Sequence, residues 1–252
     1  LVGSEMCIRD RFSLDAYKLV FVSGDIPQAY LITVGTTIVG TFFSMVFTCG
    51  AAYAMSVKNF KSRGVLALFI YFTMLFNGGL VANYLLTTKF LHLQNNILVL
   101  LLPSFCNAWN ILLMRNFFNG IPASLAESAK IDGANDITIL IKIIIPISLP
   151  GIATIGLFYA LTYWNEWYKC LLYIDSSHSQ YYTLQYLIQQ ILRQVNYAAN
   201  QPAEAVGLNS LTLPTYAYRM ATIIVAIGPI ILLYPFLQKY FVQGLTVGSV
   251  KG

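Results

Sequence analysis

The chain has 252 residues, of which 57% are hydrophobic and 10% charged, and it carries a formal charge of +5. So few charges, against roughly 25% in soluble domains, cannot cover a soluble protein of this size, and a mean hydropathy of +0.65 points to the membrane. The basic residues fall in short loop clusters with no stripe of interleaved aromatics, which gives nucleic-acid binding no support.

The first segment, LVGSEMCIRDR (residues 1–11), has neither an apolar core nor an initiator Met, so it follows no signal-peptide grammar. Its second half, MCIRDR, matches the translation that sequencing-library transposon ends leave in assembled reads. Residues 1–11 are therefore expected to be a non-native artefact in place of a lost first transmembrane helix, with 12–28 an external segment.

A membrane helix needs about 20 predominantly apolar residues. Five windows qualify: residues 29–57, 65–87, 97–117, 147–174 and 215–238. Together they predict an all-α polytopic membrane helix bundle over 29–238, followed by a tail at 239–252. Pro103 in the third window and Pro229 and Pro235 in the fifth are expected to kink rather than end their helices.

Lysine and arginine set the orientation. Lys58, Lys61, Arg63, Arg115, Lys130, Lys142, Lys239 and Lys251 lie on one alternating set of segments, which is taken as cytoplasmic. The other set holds Lys18, Lys89, Lys169, Arg193 and Arg219, with Lys169 and Arg219 at helix ends where long stems snorkel. This places 118–146 inside and 175–214 outside, with an amphipathic helix expected near 182–195.

In the first window Thr36, Gly40, Ser44, Thr48, Ala52 and Ser56 recur every fourth residue. Such a row of small residues lets helix backbones approach closely in lipid, and its drift around the helix suits a crossing neighbour. Cys49, Cys106 and Cys170 have no metal-site spacing and read as small packing residues, with Cys7 in the terminal stretch. His92 and His178 read as solvated loop residues.

Between the third and fourth windows, AESAKIDGAND (residues 126–136) is a polar stretch in an otherwise oily chain. Ser124 and Glu127 have capping-box spacing, Pro122 suits an early helical turn, and Gly133 suits a left-handed helix end. A second start follows at Asn135 or Asp136, leading into an apolar run of about ten residues, too short to span. The segment reads as two short helices in an elbow rigidly joined to the next span.

From Glu127, Ser128 and Ala129 the spacing runs through Gly133 to Ile143, Ile145 and Pro146, and it resembles the EAA loop of permease subunits in binding-protein-dependent ABC importers. Ser128 stands for the usual Ala and Ile145 for the usual Leu. The context ESAKIDGA and the ending QKYFVQGLTVGSVKG are similar to the carbohydrate branch, specifically the second permease of maltose-type importers. SLDAYKLVF, MLFNGGLVANYLL and YWNEWYKCLLY point toward its complex or acidic oligosaccharides.

The resemblance implies an ABC importer permease fold of six helices, the first absent here, in the bacterial cytoplasmic membrane. It implies a second permease, an ATP-binding cassette ATPase dimer, an extracytoplasmic solute-binding protein and a sugar or oligosaccharide substrate, with membrane lipid around the bundle. Glu127, Ser128, Ala129, Asp132, Gly133, Ala134, Asp136 and Pro146 would form or adjoin the ATPase-coupling contact, and the tail would reach toward the ATPase interface. The subunit would be non-catalytic and bind no cofactor, ATP being held by the partner, in keeping with the absence of a G-x-x-x-x-G-K-[ST] phosphate loop.

Polar residues inside spans face cavities or partners. Asn77, Asn107, Asn110, Trp164, Asn165 and Glu166 are therefore candidates for the substrate pathway, and Asn83 belongs to the same set. For Trp164 and Trp167 an interfacial aromatic belt is the competing reading. The Asn-Gly-Gly at 77–79 either breaks its helix or allows close packing. Rival classes are a permease of another ABC importer type and an ion-coupled secondary transporter, though no coupling acid lies mid-span.

Overall fold

The computed structural model describes residues 25–200, together with 220, 221, 223–225 and 228. The readings made for residues 1–24, for most of the fifth window with its two prolines, for 201–214 and for the tail lie outside the described residues. Among the described residues all regular structure is helical.

Helix α1, Asp25–Ser56, is long and apolar enough to cross a membrane. The later windows are not straight rods. Arg63–Leu75 (α2) and Gly79–Leu85 (α3), which runs on as a π-helical turn to Phe90, meet at 114°. Leu98–Leu101 (α4), tightened into a 3-10 turn at Leu102–Ser104, meets Ala108–Asn119 (α5) at 50°. The described residues therefore provide one span, or up to four if each bent pair counts as one.

The elbow follows as α6, Ala123–Ile131, and α7, Asp136–Ile139, which continues through a π-helical turn, Leu140–Ile144, into α8, Ile145–Ile147. A bend of 89° then leads into α9, Leu149–Trp164. The fourth window breaks again after Trp164, before α10, Tyr168–Tyr173. A 3-10 turn, Ser176–Tyr181, precedes α11, Leu184–Asn200. This is the amphipathic helix expected outside, and it lays Leu184, Leu187 and Ile188 on the core.

The small-residue row of α1 is buried from Thr36 through Gly40, Ser44, Thr48 and Ala52, and it receives α9. At Gly40 the approach is closest: a β-carbon there would lie 2.6 Å from the Tyr163 ring. One apolar cluster joins Ile26 and Ala29 of α1 to Trp164, Cys170, Tyr173 and Leu184. A second joins Cys49 and Ala52 to Met114, Phe118, Ile139, Ile144, Ile155, Tyr159 and Tyr163, tying the elbow to α1, α5 and α9. Cys49 and Cys170 are buried packing residues, whereas Cys106 is exposed at the break before α5 and does not pack as expected.

Candidate coupling elbow and pathway lining

Helix α6 starts at a proline. Pro122, at φ −59 and ψ 127, precedes Ala123 and makes no side-chain cap. This corrects the capping-box expectation: Ser124 falls inside the first turn, two residues too late to cap it, because a residue without an N–H and with φ already set defines the boundary.

The C-terminal end is closed as read. Gly133, at φ +83, donates its N–H to the Lys130 carbonyl at 3.0 Å, and Ala134 donates to the Ala129 carbonyl at 2.9 Å. Those two bonds are a complete Schellman closure, which needs a residue content in the left-handed region. Asn135 then caps α7, its side chain accepting the Thr138 N–H at 2.7 Å.

Lys130 and Asp136 pair across the turn at 2.8 Å, and Tyr53 of α1 donates to Asp136 at 3.4 Å. The ion pair is solvated and contributes no more than about 1 kcal/mol. It links the two short helices across a turn whose shape is set by the Gly133 closure and the Asn135 cap. Pro146 lies within α8, at the far end of the elbow.

The two faces of α6 differ in kind. Ala126, Ala129 and Ala134 are half-buried against the second apolar cluster. Glu127, Ser128 and Asp132 face outward, and so do Ile131, 87% exposed, and Ile137, 68% exposed. Small inward residues let the helix sit close while its outer face stays uncovered. Between the end of α1 and the start of α6 lies a recess of about 210 Å³, with Ser56, Lys58, Asn119, Glu127 and Lys130 on its walls.

The pathway candidates fall into two groups. Asn107 and Asn110 come together at the start of α5, where the Asn107 side chain accepts the Asn110 N–H at 3.1 Å. Asn107 is exposed and Asn110 is buried. Asn165 and Glu166 meet near the end of α9: Asn165 is exposed and donates to the Leu161 carbonyl at 2.9 Å, and Gln185 of α11 reaches it at 3.5 Å. Asn77 stands apart, exposed, accepting the Gly79 N–H at 2.9 Å, and Asn83 is exposed on α3.

Two candidates serve packing instead. Trp164 is only 6% exposed and meets Tyr30 edge-on at 6.3 Å, so the ring is packed into the protein rather than open to stack on a sugar. Glu166 is ion-paired with Lys169, the two side chains being 12% and 14% exposed. Lys169 thus does not snorkel outward as expected: its ammonium turns back to Glu166 and donates to Ser104 Oγ at 2.8 Å. With both side chains largely buried, removing either partner would leave the other charge uncompensated.

Tyr159, Tyr163 and Lys169 were not singled out as site residues by sequence. The available signal was a match of spacings, since Ser44 and Thr48 in α1 and Tyr159 and Tyr163 in α9 are each four apart. His92 is exposed, and His178 bonds Ser177 at 2.9 Å beside Tyr181. Among the described residues no cluster of His, Cys, Asp and Glu could hold a metal ion.

Bent apolar spans joined by an outward-facing, capped elbow define a polytopic transport permease. The chain belongs to the family described as binding-protein-dependent transport system inner membrane component, whose pattern matches residues 40–247. It is thus the permease subunit of a binding-protein-dependent ABC importer, an inner-membrane component.

Among its relatives is the polygalacturonan/rhamnogalacturonan transport system permease protein YtcP of Bacillus subtilis, 42% identical over 241 residues, 96% of this chain and 82% of that protein. Protein LplC of the same organism is 38% identical over 242 residues, 96% of this chain and 80% of LplC. The fold is similar to a chain in the crystal structure of a bacterial ABC transporter involved in import of the acidic polysaccharide alginate. That match has a TM-score of 0.79 at 33% identity and covers 91% of this chain and 80% of that one.

Proposed function

We propose that this chain forms half of the translocation pathway of an importer for acidic oligosaccharides and receives the force of ATP hydrolysis through the elbow. The observation that carries the reading is the two-faced α6. Its alanines seat it on the core, its C-terminal end is locked by Gly133, and its outer face of Glu127, Ser128, Ile131 and Asp132 is exposed among the described residues. A capped helix fixed on one side and open on the other moves as a lever.

In this reading the exposed set docks on a separate ATP-binding cassette subunit, which hydrolyses ATP. Ala129 and Ala134 act from within by holding the lever, and Asp136 links its two short helices through Lys130. A second permease completes the pathway, and an extracytoplasmic binding protein delivers the sugar to the outer side of a bacterial cytoplasmic membrane. Asn107, which is exposed at the start of α5, lines the pathway, where its amide group bonds sugar hydroxyls, and buried Asn110 is held behind it. The acidic class is supported by the substrates named for YtcP and for the alginate transporter.

The test is uptake by the complete transporter in proteoliposomes, with labelled oligogalacturonides, alginate oligomers and neutral malto-oligosaccharides, comparing the unaltered protein with Gly133→Trp. The expected result is uptake of one acidic class that requires ATP and is lost in the variant while the complex still assembles. Unchanged uptake in Gly133→Trp would remove the elbow from the coupling contact, and uptake without the ATPase would reject ATP-driven import.

A further inference from the structure

The break between α4 and α5 strands two main-chain groups. Phe105 donates its N–H to Leu102 at 3.2 Å, so Leu101 loses the donor that an unbroken α-helix would give it. Asn107, extended at φ −97 and ψ 115, has its N–H turned out of the helical ladder. Backbone that leaves the helical ladder within a membrane protein must be satisfied by neighbouring protein groups or by the cavity it lines.

Both are met from α9. Tyr163 Oη donates to the Leu101 carbonyl at 3.1 Å, and the Asn107 N–H donates to Tyr159 Oη at 3.2 Å. Each phenol has one proton. That of Tyr163 goes to the carbonyl, so Ser44 is the donor in the 3.0 Å bond between Ser44 and Tyr163. That of Tyr159 is free to go to Thr48 Oγ1 at 2.7 Å. All four side chains are 1% exposed or less. The two tyrosines, one helical turn apart, thus hold the two sides of the break, and α1 fixes their hydroxyls from behind.

We propose that Tyr159 and Tyr163 are positioning residues that carry movement of the elbow to the broken span bearing Asn107 and Asn110. The elbow ends at Ile147 and α9 starts at Leu149, so the lever and both phenols belong to one continuous stretch of backbone. The break is the deformable element, since its groups are bonded to a neighbouring helix rather than to its own. A rotation of α9 therefore moves the Asn107 end relative to the Leu101 end. The inference rests on the elbow being the ATPase contact.

Cys106 supplies the readout, being exposed within the break. The complete transporter in proteoliposomes would carry Tyr159→Phe with Tyr163→Phe. Uptake per ATP hydrolysed would be measured beside labelling of the Cys106 peptide by a charged maleimide, with and without ATP and vanadate, read by mass spectrometry. In the double variant, loss of both tethers is expected to lower uptake per ATP about tenfold while ATP turnover stays within about twofold, and to flatten the nucleotide-dependent change at Cys106.

A wild-type ratio together with a wild-type labelling change would overturn the proposal, and so would Cys106 labelling indifferent to nucleotide in the unaltered protein. Each single phenylalanine variant keeps one tether and is expected to give an intermediate ratio. Wild-type ratios in both singles overturn the idea even if the double variant does not assemble. Failure of the elbow reading would show instead in Gly133→Trp, with the tyrosine variants not entering into it.

Discussion

Between Leu75 and Gly79 the chain turns through 114°, and between Ser104 and Ala108 through 50°, yet the two breaks are held by different means. At the first, Asn77 accepts the N–H of Gly79 two residues on, and Gly79 takes φ +81. Its flanking residues are exposed, and among the described residues no other helix supplies a bond to the turn. At the second, the stranded groups are satisfied by Tyr159 and Tyr163 from α9, and Phe105 lies against Phe43 and Phe47 of α1. A local break can form wherever its own residues favour it, while a tethered break exists only when three helices are already assembled.

The largest expected effect comes from prising the tether apart. Gly40→Leu would put a β-carbon within 2.6 to 2.7 Å of three Tyr163 ring atoms that two hydrogen bonds hold in place. Overpacking of this kind is expected to cost about 3 kcal/mol or more, read as a lower melting midpoint of the purified complex. Gly35→Leu, on the same helix with nothing within 4 Å of the added atom, is the control and should melt near the unaltered protein.

Tyr163→Phe should come next, at about 1–2 kcal/mol, since it leaves the Leu101 carbonyl and the Ser44 hydroxyl without their partner. A double-mutant cycle with Ser44→Ala isolates the bond between the two side chains, and strictly additive melting shifts would mean that they do not act together.

Gly79→Ala should cost about 1 kcal/mol from backbone conformation alone, because open space surrounds the site, and Gly79→Asn should cost less. The smallest effect is expected from Asn77→Ala, about 0.5 kcal/mol for one exposed local bond. If Asn77→Ala lowered the melting midpoint more than Tyr163→Phe, the contrast between a local and a tethered break would fail.

Legibility in the sequence divided along the same line. The Gly133 turn and the Asn135 start were readable because each depends on a few consecutive residues, and of the two readings open for Asn-Gly-Gly the structure takes the break. Pro103, expected only to kink its helix, sits where α4 ends in a 3-10 turn and α5 starts anew at Ala108. The small-residue row of α1 announced a close neighbour, and α9 fills that place. The readings that failed had two sources, a local competitor for the helix start and contacts made elsewhere in the bundle. Ser124 was two residues off its cap because Pro122 took the boundary. Lys169 found Glu166 and Ser104 rather than the outer surface, and Trp164 is buried against Tyr30.

The sequence by itself determined a helical membrane chain, its apolar windows and a capped elbow of stated spacing, because hydropathy and turn chemistry are properties of neighbours along the chain. Only the tertiary structure decided which face of the elbow is covered, which polar residues are consumed in packing, and that two tyrosines bridge a broken span. Those outcomes turn on a hydroxyl of one helix meeting a stranded carbonyl or N–H of another within about 3 Å, and proximity between distant segments is set by packing, not by the order of residues.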